Sequence, residues 1–189
     1  AMRKYVLTAS LIQDYWGRGV DTNLATIRSA IRDTDGDIFP LKEIRSALRK
    51  ARSPMEFDDD ALDEVLDLQY LKRYTFPALA LLIGDHLNFR VETFHTDHVF
   101  PKSKTTKTAL EGQGLSETAI EEIQNRRHGL PNLQLLPGRE NREKQALMPH
   151  EWLNGMNKPI RRAYVAAHDL GEVPANIEGF VDWYDERRM

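Results

Sequence analysis

The chain has 189 residues, of which 41% are hydrophobic, with no cysteine and a formal net charge of −3. That length can bury a substantial core in one or two domains, and the lack of cysteine excludes disulfides, thiolate zinc sites and cysteine nucleophiles together. The small negative charge argues against a histone-like global attraction to nucleic acid, and no apolar run approaches the roughly 18 residues that span a bilayer.

The start, Ala1-Met2-Arg3-Lys4, carries no apolar leader. A cytoplasmic protein with no membrane partner is therefore expected. Residues 1–87 read as helical. Tyr5, Leu7, Leu11, Ile12 and Tyr15 recur at helical spacing up to the turn Gly17-Arg18-Gly19, and Asp21 is placed to cap a second helix carrying Leu24, Ile27 and Ile31. Pro40 opens a third helix through Ile44 and Leu48, Asp58 or Asp59 a fourth, and a fifth runs near Phe76 to Ile83. The run Asp58-Asp59-Asp60 reads as helix capping in preference to metal binding.

The period then changes. Phe89, Val91 and Thr93 alternate with Arg90 and Glu92, which predicts a half-buried strand leading into His95-Thr96-Asp97-His98-Val99-Phe100-Pro101. A Lys- and Thr-rich loop follows, then a helix through Ile120 and Ile123 closed by Gly129. A second strand is expected over Asn132 to Pro137 and a helix over Arg139 to Leu147. Residues 88–148 thus read as strand, helical insertion, strand, helix. Residues 149–189 read as further short helices, around Trp152, from Ile160 to Ala167 and from Phe180 to Arg187, packing on the same domain. Lys and Arg outnumber Asp and Glu only in residues 95–162, by 11 to 8, a weak sign of a local phosphate-binding surface.

Phosphodiester hydrolysis needs an activated water, a neutralised phosphate and help for the departing oxygen. Asp97 offers a carboxylate oxygen and Asn141 an amide oxygen, a donor pair suited to Mg²⁺ or Mn²⁺. His98 is the candidate base, because a neutral imidazole accepts a proton near pH 7. Adjacent strand positions face opposite ways, so Asp97 and His98 are expected on two sides of a bound phosphate. Lys144, one turn after Asn141, is expected to neutralise a phosphate or the leaving oxygen. Asn132 either orients the histidine or pins the two strands. Taken singly, an Asp-His pair is commonly a solvated pair and an Asn near a helix start a cap; their joint spacing is harder to explain by capping.

That joint pattern resembles the HNH, or ββα-metal, nuclease finger: Asp97-His98-Val99-Phe100-Pro101 is similar to its DHxxP motif, and Asn132 and Asn141 to its two asparagines. The resemblance implies a histidine base and a metal held by the aspartate and the second asparagine. His95, two residues before Asp97, resembles the first histidine of the HxDH form of phage junction resolvases and is a further candidate ligand. A longer resemblance, carried by the helical lead-in and the block Leu130 to Lys144, is to the C-terminal nuclease region of GmrSD-type restriction endonucleases. It implies defence against phage DNA, often modified, alongside a ParB-like nucleotidase domain. No glycine-rich phosphate loop occurs in this sequence, so that partner is expected on another chain or segment.

The expected fold is mainly α (α+β), a helical bundle wrapped around a ββα-metal finger. The expected activity is metal-dependent DNA cleavage, with Lys102, Lys104, Arg139 and Arg142 as DNA contacts. Two other readings stay open: a catalytically silent DNA-binding or regulatory module that needs its nucleotidase partner, and a helical first half serving as an assembly surface. Arg126, Arg127 and His128 read equally well as phosphate contacts or as charges favouring a helix end. Trp152 and Trp183 fit buried helix faces better than base stacking. His86, His150 and His168 receive no role.

Overall fold

Apolar residues at helical spacing produce most of the secondary structure of the computed structural model, which describes residues 1–12, 19–84 and 87–189. The result is mainly helical with one small antiparallel sheet. Two compact units divide at Val65 and Leu66.

In the first unit, α1 (Met2–Leu11), α2 (Val20–Arg32) and α3 (Leu41–Lys50) enclose a core of Ala9, Ile27, Ile44, Leu48 and Met55. Ile44 and Leu48, one turn apart, are both fully buried, whereas the Lys and Arg residues of α3 face outward. The predicted end of the first helix, at Tyr15 and Gly17-Arg18, lies outside the described residues. Asp21 does not cap α2: the helix starts at Val20 behind a left-handed Gly19 (φ 79°), which leaves Asp21 in the first turn beside the positive end of the dipole. Capping holds for Asp58, whose Oδ1 accepts the Ala61 N–H at 2.9 Å as α4 (Asp59–Leu66) begins.

The second unit begins at Leu66, earlier than the change of period after residue 87 suggests. Tyr70 N–H donates to His128 O at 2.7 Å and Leu130 N–H to Leu68 O at 2.8 Å. Residues 68–70 are thereby fixed alongside residues 128–130, and α5 (Thr75–Leu82) packs on β2. β1 (Phe94–His98) and β2 (Leu133–Pro137) pair antiparallel, with His98 opposite Leu133 and Asp97 opposite Gln134. The connection between them holds α6 (Lys107–Glu111) and α7 (Glu117–Arg126), the latter capped by Ser116. α8 (Gly138–Lys144) follows β2 directly, then α9 (Pro149–Asn154), α10 (Lys158–Ala167) and α11 (Phe180–Arg188).

The predicted strand at Phe89 to Thr93 is not one. Asn88 forms a turn there, its Oδ1 accepting the Arg90 N–H and its carbonyl the Val91 N–H, and Val91 is 73% exposed. Alternation without a pairing partner leaves strand hydrogen bonds unmade, so the strand lies on the motif itself, where β2 supplies them.

The core of this unit centres on Phe100, Phe180 and Trp183. Trp183 is a core residue, as its helix face predicted, with its indole N–H donating to Leu170 O at 2.7 Å. Arg187, partly buried, donates to the carbonyls of Leu133, His168 and Asp169 and ties α11 to the start of β2. Among the described residues, no helix is long and apolar enough to cross a membrane.

Candidate catalytic centre

β1 ends at His98, and the chain turns at once through Val99 and Phe100. Asn132 holds that turn. Its backbone carbonyl accepts the Val99 N–H (2.8 Å), its Oδ1 accepts the Phe100 N–H (2.9 Å), and its Nδ2 donates to Phe100 O (3.3 Å) and Arg127 O (2.8 Å). Fully buried and fully bonded to backbone, Asn132 pins the segments around both strands and makes no hydrogen bond to the histidine ring. The expected separation of Asp97 from His98 relaxes at this strand end. Both line one cavity of about 300 Å³, together with Tyr70, Lys102, Ser103 and Gln145.

Lys144 occupies a different place from the one its spacing predicted. Its side chain is only 1% exposed, and Nζ donates to His98 O at 2.8 Å and meets Asp97 Oδ2 at 2.9 Å. Enclosed by the protein and engaged by these two groups, it holds the two motif residues and does not face a substrate phosphate. Gln134, also buried, donates from Nε2 to the same Asp97 oxygen at 3.1 Å, and its Oε1 accepts the Tyr164 hydroxyl at 3.0 Å. Both contacts fall on Oδ2, which leaves Asp97 Oδ1 without a partner among the described residues. Gln134 was missed in the sequence, although a polar side chain inside Leu-Gln-Leu-Leu was a signal: a strand buried on both faces tolerates one only when it is hydrogen-bonded.

His98 is 6% exposed and packs against Tyr70, ring centroids 4.4 Å apart. Its Nε2 lies 2.9 Å from His128 Nδ1, and Arg127 Nε donates to His128 Nε2 at 3.0 Å. His128 thus lies between His98 and Arg127, a place that neither a phosphate contact nor a helix-end charge had predicted. Burial pushes the His98 pKa down to about 4, aided by the neighbouring His128 and opposed by Asp97. Burial, with Arg127 and Lys102 nearby, also lowers that of His128. Both rings are neutral at physiological pH. Tyr70 carried no sequence signal, because only the pairing of residues 68–70 with residues 128–130 brings it to the cavity.

The remaining predicted residues do not all converge. Asn141 lies one turn before Lys144 on α8, partly exposed, outside the cavity wall and with no side-chain hydrogen bond among the described residues. His95 is exposed and sits against Gly138, where an added Cβ would lie 3.3 Å from its Nε2 and 3.7 Å from Arg142 Nη1. Glycine there admits the ring and the guanidinium beside the start of α8. Lys102 lines the cavity, Lys104 is exposed in the loop beyond it, and Arg139 is exposed and paired with Glu143 at 2.8 Å. Of the histidines given no role, His86 lies outside the described residues. No group of three His, Cys, Asp or Glu side chains converges among the described residues. Asp97 Oδ1 and the Asn141 amide oxygen are donors of the kind a hard divalent cation takes, but only Asp97 lines the cavity. No family model and no curated protein matches this chain.

Proposed function

We propose that the chain is a metal-dependent endonuclease domain of the HNH, ββα-metal type that hydrolyses DNA phosphodiester bonds as the nuclease part of a bacterial defence system against phage DNA, working with a nucleotidase partner. The observation that carries the reading is that Asp97 and His98, neighbours at the end of β1, open into the same cavity beside Lys102. The order β1, β2, α8, with the second candidate ligand on the helix, supports it.

Asp97 and Asn141 would hold Mg²⁺ or Mn²⁺, which when bound supplies charge neutralisation at the phosphate and the leaving oxygen. The protein's own part follows from the hydrogen bonds. Lys144 and Gln134 grip one oxygen of Asp97 and aim the other away from themselves. Lys102 attracts the phosphate to the cavity mouth. His98, neutral because of its burial, takes the proton of the attacking water. Asn132 fixes the turn that presents it.

Purified protein with Mg²⁺ or Mn²⁺ should nick or cut plasmid DNA, chelation should stop it, and His98→Ala should lose the activity while staying folded. Unchanged cleavage by His98→Ala would reject the base; no cleavage of modified or unmodified DNA with either metal, with or without a nucleotidase partner, would reject the reading.

A further inference from the structure

The hydrogen bonds around His98 leave its lone pair in an unexpected place. An arginine side chain has donors only, so Arg127 Nε–H, 3.0 Å from His128 Nε2, makes that nitrogen the acceptor. A neutral imidazole carries one proton and one lone pair. The proton of His128 is therefore on Nδ1, and at 2.9 Å it is donated to His98 Nε2. The single lone pair of His98 is thus engaged by His128, and its own proton sits on Nδ1. In this arrangement His98 has no site that can accept a proton from water.

The opposite arrangement needs His98 Nε2–H to donate to His128 Nδ1, which leaves the His98 Nδ1 lone pair open. His128 must then carry its proton on Nε2, facing the Arg127 Nε–H, so two donors would oppose each other. Only removal of the Arg127 donor permits it. Arg127 is built for that exchange. Its Nη1 is anchored to Thr105 O at 3.0 Å and Gln124 Oε1 at 3.1 Å, and its Nη2 makes no bond among the described residues. The free Nη2 and the Nε form one edge of the guanidinium, the edge a phosphate takes with two parallel hydrogen bonds. Lys102, near enough to influence His128, lines the cavity with His98 and adds positive charge there.

We propose that Arg127 and His128 are positioning residues that decide which nitrogen of His98 carries its proton, and that a DNA phosphate bound on the Nε/Nη2 edge of Arg127 frees the lone pair. The role of His98 as base rests on the nuclease reading; the control of its tautomer does not. In the exchange, His98 Nδ1–H goes to solvent, His128 Nδ1–H crosses to His98 Nε2, and His128 Nε2 takes one proton from solvent. Each ring stays neutral and no net proton is gained or lost.

The test is nitrogen-15 NMR of the histidine side chains in the whole chain, at neutral pH with chelator present. Wild type should show His98 and His128 both protonated on Nδ1. Arg127→Met should move both to the Nε2–H form, and short duplex DNA added to wild type should do the same. His128→Phe, which removes the donor and keeps a ring in place, should release His98 from its fixed Nδ1–H form even if Arg127→Met folds poorly. Wild-type His98 found protonated on Nε2, or tautomers unmoved by either substitution, would overturn the proposal. Tautomers that move in the variants but not on adding DNA would overturn the phosphate signal. Tautomers that shift as stated in a protein that cuts nothing would sink the nuclease reading alone, whereas His98-dependent cleavage with unmoved tautomers would sink this one alone.

Discussion

Lys144 Nζ lies 2.9 Å from Asp97 Oδ2, with its own side chain 1% exposed and that of Asp97 18% exposed. One partner is sealed in and the other reaches the solvent side, so the pair acts as a post and a pointer. Removing the pointer leaves a buried ammonium with only the His98 carbonyl for company.

Asp97→Ala should therefore cost stability as well as activity. Breaking a buried pair by deleting one member typically costs about 3–5 kcal/mol, because the surviving charge is uncompensated. The loss in denaturant melts should be close to that range, and Asp97→Ala combined with Lys144→Met should cost clearly less than the sum of the two single changes. Additive losses would show that the ion pair does not couple the two residues.

Asn132→Asp should be worse than Asn132→Ala. The amide Nδ2 donates to two backbone carbonyls, and a carboxylate oxygen there would face both with no donor. Alanine leaves buried backbone groups unsatisfied at about 1–3 kcal/mol each. Thermal melts should rank wild type, alanine, then aspartate, with cleavage falling in the same order because the turn presenting His98 loosens. An aspartate variant as stable as wild type would contradict the bonding of this turn.

His98→Ala should lower the metal-dependent cleavage rate by roughly 10²–10⁴-fold, the usual contribution of a general base. Circular dichroism should stay that of a folded protein, while the melting midpoint falls because a ring buried against Tyr70 is lost, so rates are compared below that midpoint. A rate loss under tenfold would point to another base.

The pH dependence follows from the lowered histidine pKa values. An unfolded histidine titrates near 6.5, whereas His98 in the fold titrates near 4, so between these values the unfolded chain binds more protons. This contribution to stability is level above about 6.5 and falls as the pH drops toward 4, and His128 adds in the same direction. Melting midpoints should decline across that window in wild type and decline less in His98→Phe. Midpoints that rise on acidification through it would contradict a neutral buried His98.

Metal removal should separate function from folding. Asp97 Oδ2 is already held by Lys144 and Gln134 without a cation, so a chelator should abolish cleavage and leave the melting temperature nearly unmoved. A large drop in melting temperature on chelation would indicate a structural metal.

Much of the helical framework was legible from apolar spacing, because Ile44 and Leu48 or Ile120 and Ile123 have to share a buried face whatever surrounds them. Asp97, His98, Asn132 and Lys144 stood out in the sequence as one spaced group, and the structure gathers them at the end of β1, with Asn132 and Lys144 holding that end by hydrogen bonds. The strand at Phe94 to His98 was displaced from its predicted place because pairing partners, not alternation, decide where a strand forms.

What sequence alone determined is the set of groups and their spacing along the chain. What only tertiary structure decided is which way each group faces. Lys144 is turned inward by burial against Asp97 and the His98 carbonyl, and Tyr70 and His128 are brought to the same ring by hydrogen bonds between segments far apart in the chain. Spacing within one helix or strand fixes a face; a contact across 30 residues or more depends on how every element between them packs.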